Sequence, residues 1–170
     1  PKTLPELLRY GKDKREWSDF IVYENERITY DDFCDQVTKL GNYLQNSLKV
    51  KKGDKIAVAM RNYPEYTILF MAIVSVGAVI VFVNGWWTTE EMEYGFDDSG
   101  AKICFADKER IHVIKPFAGK KNIELISVRE EESKDILSYE KILNSSNSKE
   151  LKVDINTDDD CAVMYTSGST

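Results

Sequence analysis

The chain has 170 residues and a net charge of −6, from 23 Lys and Arg against 29 Asp and Glu. With 42% hydrophobic and 31% charged residues, it has the composition of an ordinary soluble domain with a real core, which excludes a disordered chain. The acidic balance argues against a nucleic-acid partner. The single histidine, His112, excludes a His-bearing catalytic triad and a zinc site with two His ligands built from this chain alone.

The sequence shows no positively charged leader followed by an apolar core. Its longest apolar run, residues 68–83, would extend about 24 Å as a helix, against about 30 Å of membrane hydrocarbon. We therefore expect a cytoplasmic protein without a transmembrane segment. The three cysteines, Cys34, Cys104 and Cys161, are far apart and form no C-x-x-C pair, which predicts reduced, structural thiols.

The first 48 residues predict a helix, a hairpin and a second helix. Residues 3–12 have the pattern of a short peripheral helix. Residues 20–23 and 27–28 flank a polar turn and predict a β-hairpin. Thr29 then caps a helix whose apolar residues recur at spacings of four, three, four and four, which predicts one buried face: Phe33, Val37, Leu40, Leu44 and Leu48.

The middle of the chain alternates buried strands with helices. Asn62 is the predicted cap of one helix, with Pro64 in its first turn. Thr88 and Glu91 form a capping box for another, which stops at Gly100. The predicted strands cover residues 55–60, 78–83, 102–106 and 123–128. The predicted helices cover residues 66–76, 88–98 and 108–115.

This alternation predicts an α/β fold with a mainly parallel sheet, right-handed crossovers and helices on both faces. Residues 129–160 are more polar, and we expect a long surface excursion with one short helix over 138–143. Within it, the acidic triplet 158–160 is interpreted as a solvated turn before a strand rather than a metal site.

The last ten residues combine an apolar strand pattern with a loop of small residues. Four apolar residues and Tyr165 predict a strand covered on both faces, as in parallel sheets. At the carboxyl end of such a strand, backbone N–H groups and hydroxyls can approach phosphate oxygens. An ordinary linker explains the same residues, and the Walker A spacing is absent. The loop residues are Thr166, Ser167, Gly168, Ser169 and Thr170.

The segment Tyr-Thr-Ser-Gly-Ser-Thr resembles the opening of the phosphate-binding signature of adenylate-forming enzymes. Further landmarks resemble that family in the same order, over nearly the whole chain: residues 28–30, 52–58, 62, 64–65, 77–79, 84, 88, 90–91 and 98–102. The resemblance implies that residues 1–170 are the N-terminal portion of the AMP-binding domain, with the rest of that domain and a small C-terminal domain absent.

The resemblance also implies a function. An acyl-CoA synthetase of this family activates a carboxylic acid, here a fatty acid, to an acyl adenylate and then to a thioester, using ATP, Mg²⁺ and CoA. The residues that match the ATP-phosphate site are Thr166, Ser167, Gly168, Ser169 and Thr170. The family's catalytic lysine and metal-binding glutamate lie downstream, so this chain alone is expected to contain no catalytic residue and no metal ligand, and to be inactive.

Two other functions stay open at this stage. One is an amino-acid or aryl-acid adenylation module that loads a carrier protein, and the other is a non-catalytic nucleotide-binding domain of the same fold. A local departure bears on the substrate. Many members of the family have Pro-Leu-Asn-Pro where this chain has Phe82, Val83, Asn84 and Gly85, and here the tandem Trp86 and Trp87 follow. The tandem tryptophans either pack under the sheet or form a wall of an acyl or CoA site. Since neighbours in an extended loop point to opposite sides, we expect only one of the two tryptophans to face the core.

Overall fold

A computed structural model describes residues 1–15, 17–130 and 136–166. Two strands form a hairpin and six form a single sheet. The elements in chain order are α1 (Leu4–Arg15), β1 (Asp19–Tyr23), β2 (Glu26–Thr29), α2 (Tyr30–Asn46), β3 (Lys55–Ala59), α3 (Pro64–Ser75), β4 (Val79–Phe82), α4 (Thr89–Ser99), β5 (Ile103–Ala106), α5 (Lys108–Lys121), β6 (Glu124–Ser127), β7 (Leu137–Ser138), α6 (Tyr139–Ser145) and β8 (Ala162–Met164).

The sheet has the strand order β7-β6-β5-β3-β4-β8, and its five adjacent pairs are all parallel. The predicted α/β fold with a parallel sheet is therefore confirmed, as is the antiparallel β1–β2 hairpin. Because the strands of the sheet run in one direction, their carboxyl ends meet along one side. We call this side the carboxyl edge.

The first face of the sheet carries large branched and aromatic side chains and is covered by α2, α3 and α6. The predicted apolar stripe of α2 is buried here, since Phe33, Leu40 and Leu44 are fully buried and Val37 is nearly so. Leu48, the last residue of the predicted stripe, packs against this core while partly exposed. The sheet residues on this face are Ile56, Val58, Ile80, Phe105 and Ile126.

The second face carries smaller side chains and is covered by α4 and α5. Successive residues of β3 point to opposite faces, so Ala57 and Ala59 lie here between the positions of their larger neighbours. The helices supply the bulk that these alanines lack. Their buried residues on this face are Met92, Phe96, Ile111, Ile114, Phe117 and Ala118.

The helix caps confirm most of the local predictions. The Thr29 side chain accepts a hydrogen bond from the backbone N–H of Asp32. Thr88 and Glu91 form the complete capping box of α4, and Gly100 ends that helix in the left-handed conformation, with φ 71°. The predicted Asn62 cap is wrong. Tyr63 is the N-cap of α3 because Pro64 occupies the first helical position and forces the residue before it into an extended conformation.

Two further predictions were partly wrong, one on the length of a helix and one on the exposure of a segment. Helix α5 does not stop at Lys115 but continues through Pro116 to Lys121. Burial of Phe117 and Ala118 offsets the cost of the internal proline, about 3 kcal/mol. The polar stretch 129–160 is also not wholly a surface excursion, because β7 joins the sheet and α6 places Tyr139 and Ile142 in the core: both are at most 3% exposed.

The last strand is less buried than its sequence predicts. Strand β8 lies at the end of the sheet and pairs with β4, and Met164 is 73% exposed. Cys161, just before it, is an exposed free thiol, whereas Cys34 and Cys104 are buried free thiols, and burial raises the pKa of both. In the described ranges, no helix is long and apolar enough to cross a membrane.

Candidate functional site

At the centre of the carboxyl edge, neighbouring strands send their chains to opposite faces of the sheet. Strand β3 lies between β4 and β5. The loop after β3 leads to α3 on the first face, whereas the loops after β4 and β5 lead to α4 and α5 on the second face. Where neighbouring strands send their chains to opposite faces, open α/β sheets bind their ligands.

The predicted phosphate-binding segment begins at this edge. Strand β8 is paired in register with β4, with Met164 opposite Phe82. Thr166 follows two residues after the end of β8 and is exposed. The rest of the predicted segment lies outside the described residues: Ser167, Gly168, Ser169 and Thr170. The fold therefore brings Thr166 to the edge where a ligand is expected, and the role of the segment stays a prediction.

A buried ion pair joins the three loops that follow β3, β4 and β5. The Asp107 carboxylate accepts hydrogen bonds from the backbone N–H of Arg61 at 2.9 Å and of Arg110 at 3.2 Å. The Arg110 guanidinium donates to Asp107 at 3.2 Å and to the carbonyl oxygen of Gly85 at 3.0 Å. The side chains of Asp107 and Arg110 are 7% and 5% exposed. The Arg110 guanidinium also donates to the exposed Glu109 carboxylate at 2.7 Å, so the pair is extended to the protein surface.

The two tryptophans divide between solvent and protein. Trp86 is 85% exposed, with the Arg110 guanidinium carbon 5.8 Å from its ring centroid. The backbone N–H groups of Trp86 and Trp87 donate to the side chain and the backbone carbonyl of Asn84, which forms a turn after β4. Trp87 is partly buried and packs against the second-face core. Packing under the sheet is thus wrong for Trp86, whose indole lies at the surface beside Arg110.

Tyr165 links the segment after β8 to α4. Its hydroxyl donates to an Asp98 carboxylate oxygen at 2.8 Å and lies 3.2 Å from the carbonyl oxygen of Gly95. Its ring meets Trp87 edge to face, with centroids 5.2 Å apart. Burial first, and then the bond to Asp98, raises the pKa of Tyr165 to about 12, as expected of a phenol that donates to a carboxylate.

A second arginine cluster lies at the same edge, after β6. The Arg129 guanidinium donates to both Glu65 carboxylate oxygens, at 2.9 and 3.0 Å, and to Glu26 at 2.8 Å. It also lies over the rings of Tyr63 and Tyr23, at 4.8 and 5.3 Å. Partial burial opposes its charge, but the bonds to the two glutamates outweigh that effect and raise the pKa of Arg129. Arg129 thereby fixes the hairpin against α3.

The arginine clusters were missed at the sequence level. Asp107 stands directly before a helix and is its N-cap, a signal that the sequence did contain. Nothing local distinguishes Arg110 or Arg129 from a solvated surface arginine. Among the described residues, no group of three or more His, Cys, Asp or Glu side chains could hold a metal ion. The acidic turn before β8 instead places Asp159 against Lys52, at 2.6 Å.

Comparison with known proteins places this geometry in a family. Residues 11–170 match the family described as AMP-binding enzyme. The chain is 30% identical over 125 residues to 4-coumarate–CoA ligase 1 of Petroselinum crispum, which is 74% of this chain and 23% of that protein. It is 26% identical over 123 residues to a long-chain-fatty-acid–CoA ligase of Salmonella typhimurium, 72% of this chain and 22% of that protein.

The fold matches solved structures over almost its whole length. One is an anthranilate CoA ligase, AuaEII, in complex with anthranoyl-AMP, with a TM-score of 0.92 and 21% identity over 98% of this chain and 32% of that one. The chain thus spans less than a quarter of the length of these two curated relatives and about a third of that solved structure. The family match covers the sheet, its helices and the carboxyl edge, and this chain belongs to the AMP-binding enzyme family.

Proposed function

We propose that this chain supplies the ATP-phosphate end of an acid–CoA ligase, which makes an acyl adenylate and then an acyl-CoA thioester. One observation carries the proposal. In a chain of the AMP-binding enzyme family, the segment that begins with Thr166 follows β8 at the carboxyl edge. Hydroxyl and N–H groups at such a position suit phosphate oxygens.

The chemistry explains why a phosphate site is needed. A carboxylate is a poor electrophile, and its attack on the α-phosphate of ATP brings two anions together. Bond formation at that phosphorus releases pyrophosphate, so donors that hold the β- and γ-phosphates stabilise the developing charge. The thiol of CoA then attacks the acyl carbonyl, and AMP leaves. ATP and CoA are the proposed ligands, together with Mg²⁺, which neutralises phosphate charge; the described residues offer no cluster of ligands for this ion.

The proposed acid is apolar, with a fatty acid as the first candidate. The relatives include ligases named for 4-coumarate and for long-chain fatty acids, so both aromatic and aliphatic acids are tested. Trp86 is the proposed wall of the acyl or CoA site, because an indole that is 85% exposed in the loop after β4, at the carboxyl edge, can cover an apolar ligand. We also propose the cytoplasm as its location.

The experiment is carboxylate-dependent exchange of labelled pyrophosphate into ATP by the full-length protein, with fatty, aryl and amino acids as substrates. Exchange with a fatty or aryl acid, followed by thioester formation with CoA, is expected. Exchange with amino acids alone would favour a module that loads a carrier protein. ATP binding without exchange for any acid would favour a non-catalytic nucleotide-binding domain. The chain 1–170 alone is expected to show no exchange.

Variants test the segment itself. Thr166→Ala and Ser167→Ala should each lower exchange by about 10- to 1000-fold, the usual cost of removing a donor that acts in the transition state. Thr157→Ala is the matched control, because Thr157 is an exposed threonine in the turn that precedes β8. Unchanged exchange in both site variants would show that the segment is a linker.

A separate pair of variants tests whether Trp86 forms a wall of the acyl or CoA site. Trp86→Ala should leave the melting temperature nearly unchanged and should alter the KM for CoA or for one acyl length. Trp17 is 80% exposed and lies between α1 and β1, so Trp17→Ala should change neither quantity. Equal KM values for all substrates in Trp86→Ala and wild type would remove Trp86 from the site.

A further inference from the structure

The residue that joins β8 to the predicted phosphate segment is held by α4 rather than by the strand itself. Tyr165 lies between Met164, where β8 ends, and Thr166. Its hydroxyl reaches two acceptors, the Asp98 carboxylate at 2.8 Å and the Gly95 carbonyl at 3.2 Å. A phenol has a single hydrogen, and the shorter bond to the charged acceptor is the stronger of the two.

The ring of Tyr165 is held as well as its hydroxyl. Trp87 meets it edge to face at 5.2 Å, the preferred arrangement of two aromatic rings. Trp87 can lie this close to α4 because residue 95 is glycine: a Cβ there would come within 2.8 Å of the Trp87 ring. Trp87, Gly95 and Asp98 together form what we call the Tyr165 socket.

The socket connects the loop after β4 and its following helix, α4, to the chain that leaves β8. Trp87 belongs to the loop after β4, and Gly95 and Asp98 belong to the helix that follows this loop. The direction in which the chain leaves β8 is therefore set by contacts that lie about 70 residues earlier in the sequence. Thr166 is the next residue, so the position of its hydroxyl depends on how Tyr165 is held.

We infer that the Tyr165 socket positions the phosphate-binding segment, with Tyr165 and Asp98 as positioning residues for the adenylation step. The inference rests on the proposed function of residues 166–170. It assigns Trp87 to the socket, in contrast to the ligand wall proposed for Trp86. A displacement of even 1 Å in a group that orients a reactant can cost about 100-fold in rate, so loss of the socket should be measurable.

The test separates the two half-reactions of the full-length protein. Pyrophosphate exchange reports adenylation, which needs the triphosphate held in place. Thioester formation from a synthetic acyl adenylate and CoA starts after pyrophosphate has left. Tyr165→Phe, which keeps the ring, and Asp98→Ala should each lower exchange or raise the KM for ATP by about 10-fold, and should leave thioester formation within about two-fold.

Asp97→Asn is the matched control, since Asp97 lies on the same helix and pairs with Lys121 at 2.8 Å instead. It should leave both half-reactions within about two-fold. The double variant Tyr165→Phe/Asp98→Ala should be no worse than either single one, because both remove the same bond. Equal losses in the two half-reactions, or unchanged exchange in Tyr165→Phe, would overturn the inference.

Failure of the socket inference can be distinguished from failure of the proposed ligase function. If the wild-type protein shows no exchange with any acid, the ligase proposal fails, and the affinity for MgATP measured by calorimetry tests the socket. A roughly 10-fold weaker Kd in Tyr165→Phe, with Asp97→Asn equal to wild type, supports the positioning role. Equal Kd values in all three proteins contradict it.

Discussion

The two faces of the sheet are built from side chains of different size. On the first face, strands present isoleucine, valine and phenylalanine to α2 and α3. On the second face, alanine and cysteine dominate the central strands, and α4 and α5 supply the large residues. The first face thus resembles an ordinary large-residue core, whereas the second depends on small strand residues that leave room for aromatic helix residues.

The candidate site belongs mainly to the second face. Trp87 and Tyr165 pack against its core, and the buried Asp107–Arg110 pair stands at the start of α5. Changes that alter the volume of the second face should therefore disturb the site, whereas changes on the first face should act on stability alone. The four predictions below test this difference, starting with the largest effect.

Removing volume from the first face should have the largest effect on stability. Phe105 is fully buried there, and Phe105→Ala should lower the free energy of unfolding by about 3–5 kcal/mol because it leaves a cavity. Chemical denaturation measures the loss. Leu7→Ala is the control, since Leu7 is 53% exposed and its loss should stay within about 0.5 kcal/mol. A loss below about 1 kcal/mol in Phe105→Ala would mean that this face is loosely packed.

Adding volume to the second face should come next. Ala57 is fully buried on the central strand β3, and Ala57→Leu should cost about 1–3 kcal/mol because the helices above it are already packed. Its neighbour Ile56 points to the first face, where Ile56→Leu conserves volume and should cost less than about 1.5 kcal/mol. If Ala57→Leu costs less than Ile56→Leu, the second face has spare room, and the proposed difference in packing between the two faces is wrong.

Local signals explain why most of the fold was predictable. The α2 stripe and the Thr88–Glu91 capping box are patterns whose members lie three or four residues apart, and both were confirmed. The alternation of apolar strands with helices likewise predicted the parallel sheet. The Asn62 cap was wrong because of a local feature, the proline at position 64. Other errors arose where a tertiary contact outweighed a local signal. Helix α5 continues past Pro116 because the residues beyond it are buried.

The site was harder to predict because its contacts are distant in sequence. Arg110 is separated by 25 residues from Gly85, and Arg129 by 64 residues from Glu65. No periodicity links such pairs. The phosphate segment was predicted from a resemblance, and of its five residues Thr166 is the one that the structure describes. The two tryptophans do differ in burial, as expected, but they lie at a turn held by Asn84 rather than in an extended loop.

Adding one methyl group to α4 and one to α5 tests how closely the second face is packed at the candidate site. In a helix interior, Gly→Ala normally stabilises by about 0.5–1 kcal/mol. Gly119→Ala in α5 should do so, because its Cβ would meet nothing within 4 Å. Gly95→Ala in α4 should instead destabilise by roughly 1 kcal/mol, since its Cβ would lie 2.8 Å from the Trp87 ring. Thermal denaturation compares the two, and a stabilising Gly95→Ala would contradict close packing of Trp87.

The smallest expected effect concerns the turn before β8, which lies outside both cores. The Asp159 carboxylate accepts hydrogen bonds from the Lys52 ammonium at 2.6 Å and from the backbone N–H of Asn156 at 2.7 Å, and these bonds lower the pKa of Asp159. A lowered pKa in the folded state stabilises the protein above the ordinary carboxyl value, about 3.9, and this stabilisation is lost as the pH falls through the folded pKa.

Asp159→Asn should therefore lower the melting temperature by about 1–2 °C at pH 7, and the difference from wild type should shrink towards zero as the pH falls through the folded pKa. The exposed neighbour Asp158 provides the control, and Asp158→Asn should leave the melting temperature at pH 7 unchanged. Because the turn belongs to neither face, Asp159→Asn should also leave exchange activity unchanged. A pH-independent loss in Asp159→Asn would show that the Asp159 side chain acts through its shape in the turn, whereas a loss that disappears in acid shows that its charge holds Lys52.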